Sequence, residues 1–378
     1  MRIAPRTLIC LAALALAATG TARAAGAPAA AAPAPAKDPY SDSFDVQKIA
    51  DGVYALIRNY PAGLMVDGNS VFIVNEDDVV VVDAPEASSD MLAALRKITD
   101  KPVKYVINTH WHDDHITGNH VYREAFPAVQ FIAHRTFLDY LPTTGLANRK
   151  GMIEGAPGFA ADERKALAEN RSLAGGEITP DERAGYASDV RLVDRYMAEV
   201  PKAEILLPDI AVEDRLTLRR GSRTIEILHL PGHTAGDLVV RLPKENVVVT
   251  GDLVVWPVPL IGNPQSHIRD WAVSLASLRA FRGAIYVPGH GPVLRDDAYL
   301  ALMEELMHFV VKQAEAAVAR GDTLDAARKA VDWTDLKKRF AGDSRMRAIL
   351  FASYVKGPAL EAAFGEASPK KADGKDHP

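Results

Sequence analysis

Histidine and aspartate are concentrated in one short segment of this 378-residue chain, residues 109–119, which read THWHDDHITGN. The segment follows an extended stretch, residues 104–108. Because alternate residues of an extended chain share a face, His110 and His112 can address one metal ion. Asp114 and His115 follow where the chain turns, and they can reach a second ion a few ångströms away. Two ions ~3.5–4 Å apart suit hydrolysis, since they hold both the attacking and the leaving group.

Three further segments each place a candidate ligand just after a strand. His233 lies in PGHTAGD, Asp252 in TGD and His290 in PGHG. Each of these turns contains glycine, which allows the backbone bends that aim such a side chain. The four segments together predict one metal site built from distant parts of the chain.

Composition and charge exclude several other kinds of site and partner. The chain has one cysteine, Cys10, which cannot form an internal disulfide, a zinc finger or an iron–sulfur site. A net charge of −5 does not fit a basic nucleic-acid-binding protein. No apolar run in the body is long enough to span a membrane. We therefore expect a small-molecule substrate, whereas the oligomeric state is not given by the sequence.

Residues 1–24 have the features of a secretory signal peptide. Arg2 and Arg6 precede an apolar run, residues 8–18, and Ala-Arg-Ala at 22–24 provides a cleavage pattern. This prediction implies export to the periplasm or secretion, and it leaves a mature chain without cysteine and with a net charge of −8. Residues 25–37 are an Ala/Pro linker, and residues 366–378 are a polar tail predicted to be disordered.

Two groups of predicted strands must position the candidate ligands. Turn residues separate the apolar, mostly β-branched runs, and helical spacing begins at Ser89 and at Asp270. The pattern predicts a mixed α/β protein whose sheets are covered by helices. The predicted strands are residues 53–58, 70–75, 79–83, 104–108, 130–133, 210–218, 224–229, 237–242, 247–250 and 285–287.

Two other regions have helical patterns and no strand signal. Residues 136–203 are charged and rich in alanine, which predicts a helical insertion that is either a lid or a packing device. We predict a lid. Residues 296–365 are predicted to form a C-terminal helical extension, with an apolar stripe that includes Leu300, Met303 and Leu306.

The ordered set HWHDDH, PGHT, TGD and PGHG resembles the metallo-β-lactamase superfamily, over about residues 45–295. The resemblance implies a four-layer αββα sandwich as the catalytic domain, residues 38–295, with the site at one edge between two sheets. It also implies a ligand for each position of a two-metal centre. The first ion would be held by His110, His112 and His233, the second by Asp114, His115 and His290, and Asp252 would bridge both.

The donor set contains no thiolate and suits Zn²⁺, two per chain, although iron or manganese stays open on ligands alone. Zinc lowers the pKa of bound water to about 7. We expect the resulting hydroxide to attack the carbonyl of a cyclic amide or ester, with Asp114 as the catalytic residue that orients it. An exported hydrolase of this kind is β-lactamase-like.

Two departures favour other substrates of the same fold. Asp252 stands where zinc β-lactamases usually carry Cys or Ser, and Val255 stands where many of them have a Lys. A lactonase or thioesterase is therefore an alternative. An alternative of another class is a mononuclear-iron oxidoreductase, or a metal-binding accessory protein of a periplasmic system.

Weaker candidates surround these motifs. Asp83 ends a buried strand and either orients a ligand histidine or caps a turn. Asn119, His120 and Trp256 are candidates for contacts to substrate or to a ligand side chain. The loop at residues 60–69 is a possible flap whose Leu64, Met65 and Val66 would contact an apolar substrate.

Overall fold

The computed structural model describes residues 44–86, 88–262 and 265–368. The predicted signal peptide, the linker and most of the predicted tail lie outside the described residues. Within the described part of the chain, no helix combines the length and the apolar character needed to cross a bilayer.

The first sheet has seven strands in sequential order. Its first four strands are antiparallel, and the fourth to seventh are parallel. The fourth strand reads VVVV and is completely buried, as expected for a strand covered on both faces. The strands are β1 (Phe44–Ala50), β2 (Val53–Arg58), β3 (Ser70–Val74), β4 (Val79–Val82), β5 (Val103–Ile107), β6 (Gln130–His134) and β7 (Ile210–Val212).

The second sheet has five strands in the order β12-β11-β10-β9-β8. They are β8 (Arg215–Arg220), β9 (Arg223–His229), β10 (Leu238–Leu242), β11 (Val247–Val255) and β12 (Ile285–His290). β11 and β12 are parallel, and the other pairs are antiparallel. Residues 210–218, predicted as one strand, are instead divided between the two sheets, because the chain bends at Glu213 and Asp214.

Helices cover the outer face of each sheet. Apolar side chains of both sheets, such as Val71, Ile107 and Val249, fill the space between them. Helices α1 (Ser88–Ile98) and α3 (Asn119–Ala125) lie on the first sheet. The short helix α2 (Asp113–Ile116) comes just before α3 in the chain. The predicted four-layer αββα order is confirmed. The second sheet carries helices that come later in the chain.

The segment between β6 and β7 is helical. It contains α4 (Phe137–Tyr140), a π-helical turn, α5 (Leu146–Glu169) and α6 (Pro180–Glu199). α5 and α6 pack as a hairpin, and α6 begins with a capping box formed by Thr179 and Glu182. The apolar side of the hairpin packs on Met65, which belongs to the loop between β2 and β3.

The chain ends in helices that pack on the second sheet. They are α7 (Ile268–Arg279), α8 (Ala298–Arg320), α9 (Leu324–Ala330), α10 (Thr334–Ala341), α11 (Arg345–Leu350) and α12 (Gly357–Ala367). Leu300, Met303 and Leu306 of α8 are fully buried, as the apolar stripe predicted. Gly321 ends α8 with a φ of 75°, a left-handed conformation that glycine adopts without steric cost.

Candidate metal centre

The fold brings all seven predicted ligands to one edge of the sandwich, between the two sheets. His110 and His112 lie in the loop after β5, and Asp114 and His115 lie in α2. The remaining three come from the second sheet. His233 lies in the β9–β10 loop, Asp252 in β11 and His290 at the end of β12.

The first cluster consists of His110, His112 and His233. Nδ1 of His112 lies 3.0 Å from Nε2 of His110 and 3.0 Å from Nε2 of His233. One nitrogen from each ring therefore points to a common centre. This is the set that the family resemblance assigns to the first ion, and the three residues form a group able to hold a metal ion.

The second cluster consists of Asp114, His115 and His290. Nε2 of His290 lies 3.1 Å from Oδ2 of Asp114 and 3.3 Å from Nε2 of His115. Asp252 lies between the clusters. Its Oδ1 is 3.2 Å from Nε2 of His115, and its Oδ2 is 3.6 Å from Nε2 of His233. The placement suits a bridging carboxylate.

The second ring nitrogen of each of three histidines is held by the protein. Nδ1 of His233 lies 2.8 Å from the carbonyl oxygen of Leu260, and Nδ1 of His290 lies 3.0 Å from the hydroxyl of Tyr60. Nδ1 of His115 lies 2.9 Å from Oδ2 of Asp83. Such contacts fix the ring orientation and the tautomer of a metal-binding histidine.

Asp83 combines the two roles that the sequence left open. Besides His115, its carboxylate accepts hydrogen bonds from the backbone N–H and the hydroxyl of Thr109, at 2.7 and 2.8 Å. It therefore orients a candidate ligand and also caps the turn that begins the histidine-rich loop. Asp83 itself has a φ of 61°.

Close backbone packing around Asp252 explains two of the motif glycines. A Cβ at Gly289 would lie 1.9 Å from Oδ1 of Asp252, so the PGHG segment can pass this carboxylate only without a side chain. Gly251 has a φ of 52°, which a residue with a side chain rarely adopts.

The pKa shifts within the cluster indicate a site for a cation. Burial lowers the pKa of His110 well below its ordinary value and that of His233 to about 4, so both rings keep a lone pair at neutral pH. Burial opposes ionisation of Asp252, yet His290 and His115 hold its pKa well below its ordinary value. Oδ1 of Asp252 is buried and lies 3.2 and 3.3 Å from Nε2 of His115 and His290. Burial opposes protonation of His115 and His290, yet Asp252 holds the pKa of both rings well above the ordinary value. The buried carboxylate therefore requires positive charge beside it, which a divalent cation can supply in place of the two protons.

A pocket of about 260 Å³ lies over the cluster. His112, Asp114, His233 and Asp252 form its floor, and most of its wall is apolar. The apolar lining residues are Leu64, Met65, Val66, Trp111, Met152, Leu260 and Ile261. The sequence predicts that residues 64–66 contact an apolar substrate. Their position agrees with this prediction, because all three line the pocket.

Three weaker candidates do not line this pocket. Asn119 is buried and exchanges side-chain hydrogen bonds of 3.1 and 2.9 Å with Asn108. Nδ1 of His120 lies 2.8 Å from the carbonyl oxygen of Thr117. Trp256 borders a smaller cavity, about 50 Å³, beside His290, and the guanidinium of Arg347 lies 4.6 Å from its ring centroid.

Sequence reasoning missed two residues that hold the motif loops. Asn69 is buried and donates from Nδ2 to the carbonyl oxygens of Pro288 and Gly291, each at 2.9 Å. The sequence indicated only a turn there. Asp237 accepts hydrogen bonds from the N–H and hydroxyl of Thr234, at 2.9 and 2.7 Å, and so holds the PGHT turn. The sequence contained one signal for this role, because Asp237 is the last residue of the PGHTAGD motif.

The helical hairpin contributes a further group, for which the sequence gave no signal. Arg149 of α5 donates from Nε and Nη2 to Oδ1 of Asp113, at 2.7 and 2.5 Å. The hydroxyl of Tyr196 of α6 donates to Oδ2 of the same residue at 2.8 Å. Asp113 is the neighbour of Asp114, so the hairpin restrains the ligand-bearing segment.

Known proteins are similar to this chain to different extents. A linear primary-alkylsulfatase of Pseudomonas sp. is 27% identical over 237 residues, which are 57% of this chain and 40% of that protein. A β-lactamase-like protein 2 homolog of Caenorhabditis elegans is 18% identical over 275 residues, 71% of each chain. The chain thus spans well under two thirds of the alkylsulfatase.

The fold is also similar to a solved structure, that of the stereoselective inverting sec-alkylsulfatase Pisa1 from Pseudomonas sp. The TM-score is 0.61 at 15% identity, over 89% of this chain and 52% of that one. Residues 65–290 match the family model described as metallo-β-lactamase superfamily. This match covers more than half of the sequence and includes all seven candidate ligands, and the chain belongs to the metallo-β-lactamase superfamily.

Proposed function

We propose that this protein is a binuclear zinc hydrolase that cleaves an ester with an apolar tail. The observation that carries the proposal is the convergence of seven His and Asp side chains at one place, where four of them form the floor of a largely apolar pocket. Zinc held there would supply a water of lowered pKa and would polarise the scissile carbonyl.

Residues of this chain would bind the substrate, exclude bulk water and orient the attacking water molecule. The apolar wall binds the substrate tail and excludes water from the floor of the pocket. Burial opposes ionisation of Asp114, but His115 and His290 hold its pKa well below its ordinary value. Asp114 is therefore a carboxylate at neutral pH, and since it lines the pocket, it would orient a water molecule there.

The pocket lining favours esters over β-lactams. A β-lactam carries a carboxylate that needs a cation. Val255 is buried and does not line the pocket, and Arg149, the one Lys or Arg among the described lining residues, already binds Asp113. A lactone or thioester with an aliphatic chain needs no such cation, and the apolar wall suits it.

A sulfate ester is the second candidate. The alkylsulfatase relative, at 27% identity over 57% of this chain, supports it, as does the apolar wall, which suits an alkyl chain. An alkyl sulfate and an alkyl carboxylic ester share the tail and differ in the group presented to the metal centre, so the two are separated by direct assay.

The test is metal analysis together with a substrate panel on the zinc-loaded protein. The panel contains an aliphatic lactone, an aliphatic thioester, decyl sulfate and the β-lactam nitrocefin. We expect about two zinc ions per chain and turnover of the lactone or thioester. Turnover of decyl sulfate alone would select the second candidate. One iron per chain with oxygen uptake would contradict both.

Variants test the assignment of the site. His110→Ala and His290→Ala are each expected to abolish turnover and to lower zinc content, because each removes a proposed ligand. His308→Ala is the matched control, since His308 lies on α8 with its side chain 65% exposed. Full activity in both site variants would show that the metal centre is assigned to the wrong residues.

We also propose that the protein is exported, on the strength of residues 1–24. The test is to express the full chain in a Gram-negative host and to determine the N-terminus of the protein in the periplasmic fraction. Cleavage near Ala24 is expected. A cytoplasmic protein that retains Met1 or Arg2 would contradict export.

A further inference from the structure

Two buried carboxyl groups face each other in the helical hairpin, away from the metal centre. Glu163 lies on α5 and Asp189 on α6, and both are 0% exposed. Both carboxyl oxygens of Glu163 are buried and have no hydrogen-bond donor among the described residues. An ionised Glu163 would therefore be unstabilised, so Glu163 keeps its proton and can donate it to the neighbouring Asp189. Neither group belongs to the ligand clusters.

Asp189 also binds the backbone of the loop between β2 and β3. Its Oδ2 accepts a hydrogen bond of 2.7 Å from the N–H of Leu64, and its Oδ1 accepts one of 2.9 Å from the N–H of Met65. A Cβ at Gly63 would lie 2.1 Å from Oδ1 of Asp189. The loop therefore approaches this carboxylate as closely as the absence of a side chain allows.

The same loop segment forms part of the pocket wall. Leu64, Met65 and Val66 line the pocket over the metal centre. The hydroxyl of Tyr354, from the C-terminal helices, donates to the carbonyl oxygen of Leu64. The backbone of residues 64–65 is thus held from two sides, by α6 through Asp189 and by the C-terminal helices through Tyr354.

The charge environment identifies which carboxyl keeps its proton. Burial raises the pKa of both groups, and that of Glu163 further, because the ionised Asp189 faces it. Arg191 and the two backbone N–H groups act on Asp189 in the opposite direction. The titratable hydroxyls near the pair belong to Tyr186 and Tyr354. Of the two groups, Glu163 keeps its proton to the higher pH, so Glu163 is the donor of the pair and Asp189 the acceptor.

We propose that Asp189 is a positioning residue for substrate recognition, which holds residues 64–66 in the conformation that receives an apolar substrate chain, and that Glu163 holds Asp189 in place. The identity of the substrate rests on the proposed function, whereas the role of the pair in positioning the loop does not. On this proposal the insertion, which the sequence predicts to be a lid, acts as a fixed part of the pocket wall instead.

The first test measures the loop directly, by amide hydrogen exchange of Leu64 and Met65 in the zinc-loaded protein. Asp189→Asn is expected to accelerate exchange roughly tenfold or more, since an amide cannot accept both bonds. Glu163→Gln keeps a donor to Asp189 and is expected to retain protection. Glu163→Leu removes the donor and is expected to lose it.

The matched control for these variants is Asp194→Asn. Asp194 lies on the same helix, but its side chain is 63% exposed and pairs at 2.6 Å with Arg164. Exchange of Leu64 and Met65 is expected to stay unchanged in this variant. Unchanged exchange in a folded Asp189→Asn protein would overturn the inference, and equal losses in Glu163→Gln and Glu163→Leu would overturn the role of Glu163.

The second test asks whether positioning determines substrate affinity, with p-nitrophenyl acetate and p-nitrophenyl decanoate. Asp189→Asn is expected to raise KM for the decanoate roughly tenfold, with kcat, zinc content and KM for the acetate little changed. A merely structural role would lower kcat and zinc content together, or would affect both esters alike, and either result would overturn the proposal.

Failure of the proposed function gives a different result. If the wild-type protein hydrolyses neither p-nitrophenyl ester and neither the lactone nor the thioester of the panel, the ester-hydrolase proposal fails. Binding of decanoate, measured by calorimetry, then replaces KM as the readout. Weaker binding in Asp189→Asn together with faster amide exchange would still support positioning, and unchanged binding would overturn it.

Discussion

At the scale of single residues, the site is organised by contacts behind the candidate ligands. His115, His233 and His290 each present Nε2 to the cluster and have Nδ1 held by Asp83, Leu260 and Tyr60. Each ring therefore has one orientation before a metal ion binds. This removes part of the entropic cost of assembling a site from four chain segments.

Replacing Asp83 tests this organisation. Asp83→Asn is expected to weaken zinc binding roughly 10–100-fold, because an amide supports the ring of His115 less well than a carboxylate does. A zinc titration against a competing chelator measures the affinity. Asp77→Asn, at an exposed turn position of the same sheet, is the control. Equal zinc affinity in the Asp83 variant and the wild type would contradict the role of Asp83.

At the scale of elements, the α5–α6 hairpin reaches the site at two points. Arg149 and Tyr196 bind Asp113, and Asp189 binds the loop at residues 64–65. The hairpin also forms part of the pocket wall, since Arg149, Met152 and Tyr196 line the pocket. The same contacts connect substrate recognition to an element that provides none of the seven candidate ligands.

The pair formed by Arg149 and Asp113 gives a stability prediction. Arg149→Met leaves the charge of a largely buried Asp113 without its cation, and is expected to lower the free energy of unfolding by about 3 kcal/mol. Adding Asp113→Asn should restore part of that loss. Urea unfolding measures both. Arg164→Met, which breaks an exposed pair, is the control and should cost below about 1 kcal/mol.

Deletion of the insertion is a separate prediction at this scale. Removing residues 140–200 is expected to change the substrate range more than the zinc content, because all seven candidate ligands lie outside this segment. Turnover of short and long aliphatic esters and elemental analysis measure the two effects. Loss of zinc from a folded deletion variant would instead assign the insertion a structural role at the metal centre.

At the scale of the whole molecule, the two sheets meet at a pair of stacked histidines. His134 ends β6 of the first sheet and His229 ends β9 of the second, with ring centroids 3.8 Å apart. Burial lowers the pKa of His134 from an ordinary value of 6.5 to about 4, and repulsion by the neighbouring His229 adds to this effect. The folded state therefore favours the neutral ring.

The sign of the resulting pH dependence follows from this lowered pKa. The contribution of His134 to stability is complete above pH 6.5, and it is lost as the pH falls towards about 4, because only the unfolded chain binds the proton in that range. His134→Phe keeps an aromatic ring without titration. Its free energy of unfolding should fall less between pH 7 and pH 4.5 than that of the wild type. An identical slope would contradict the prediction.

Much of the fold and of the metal centre was predictable from the sequence, because their signals are local. Valine-rich runs such as β4 (Val79–Val82) favour buried strands, and a histidine or aspartate after a strand in a glycine-containing turn predicts a ligand. β1 (Phe44–Ala50) was missed, since an edge strand that is largely accessible has a weak hydrophobic pattern.

The parts of the site that were not predicted depend on contacts between residues far apart in the chain. Asn69 binds the PGHG segment more than 200 residues away, and Asp189 binds Leu64 across 125 residues. The sequence alone determined which side chains have the chemistry to hold metal ions. The tertiary structure decided which carboxylates support them and which residues form the pocket wall, because hydrogen bonding and burial depend on distances in space that spacing along the chain does not encode.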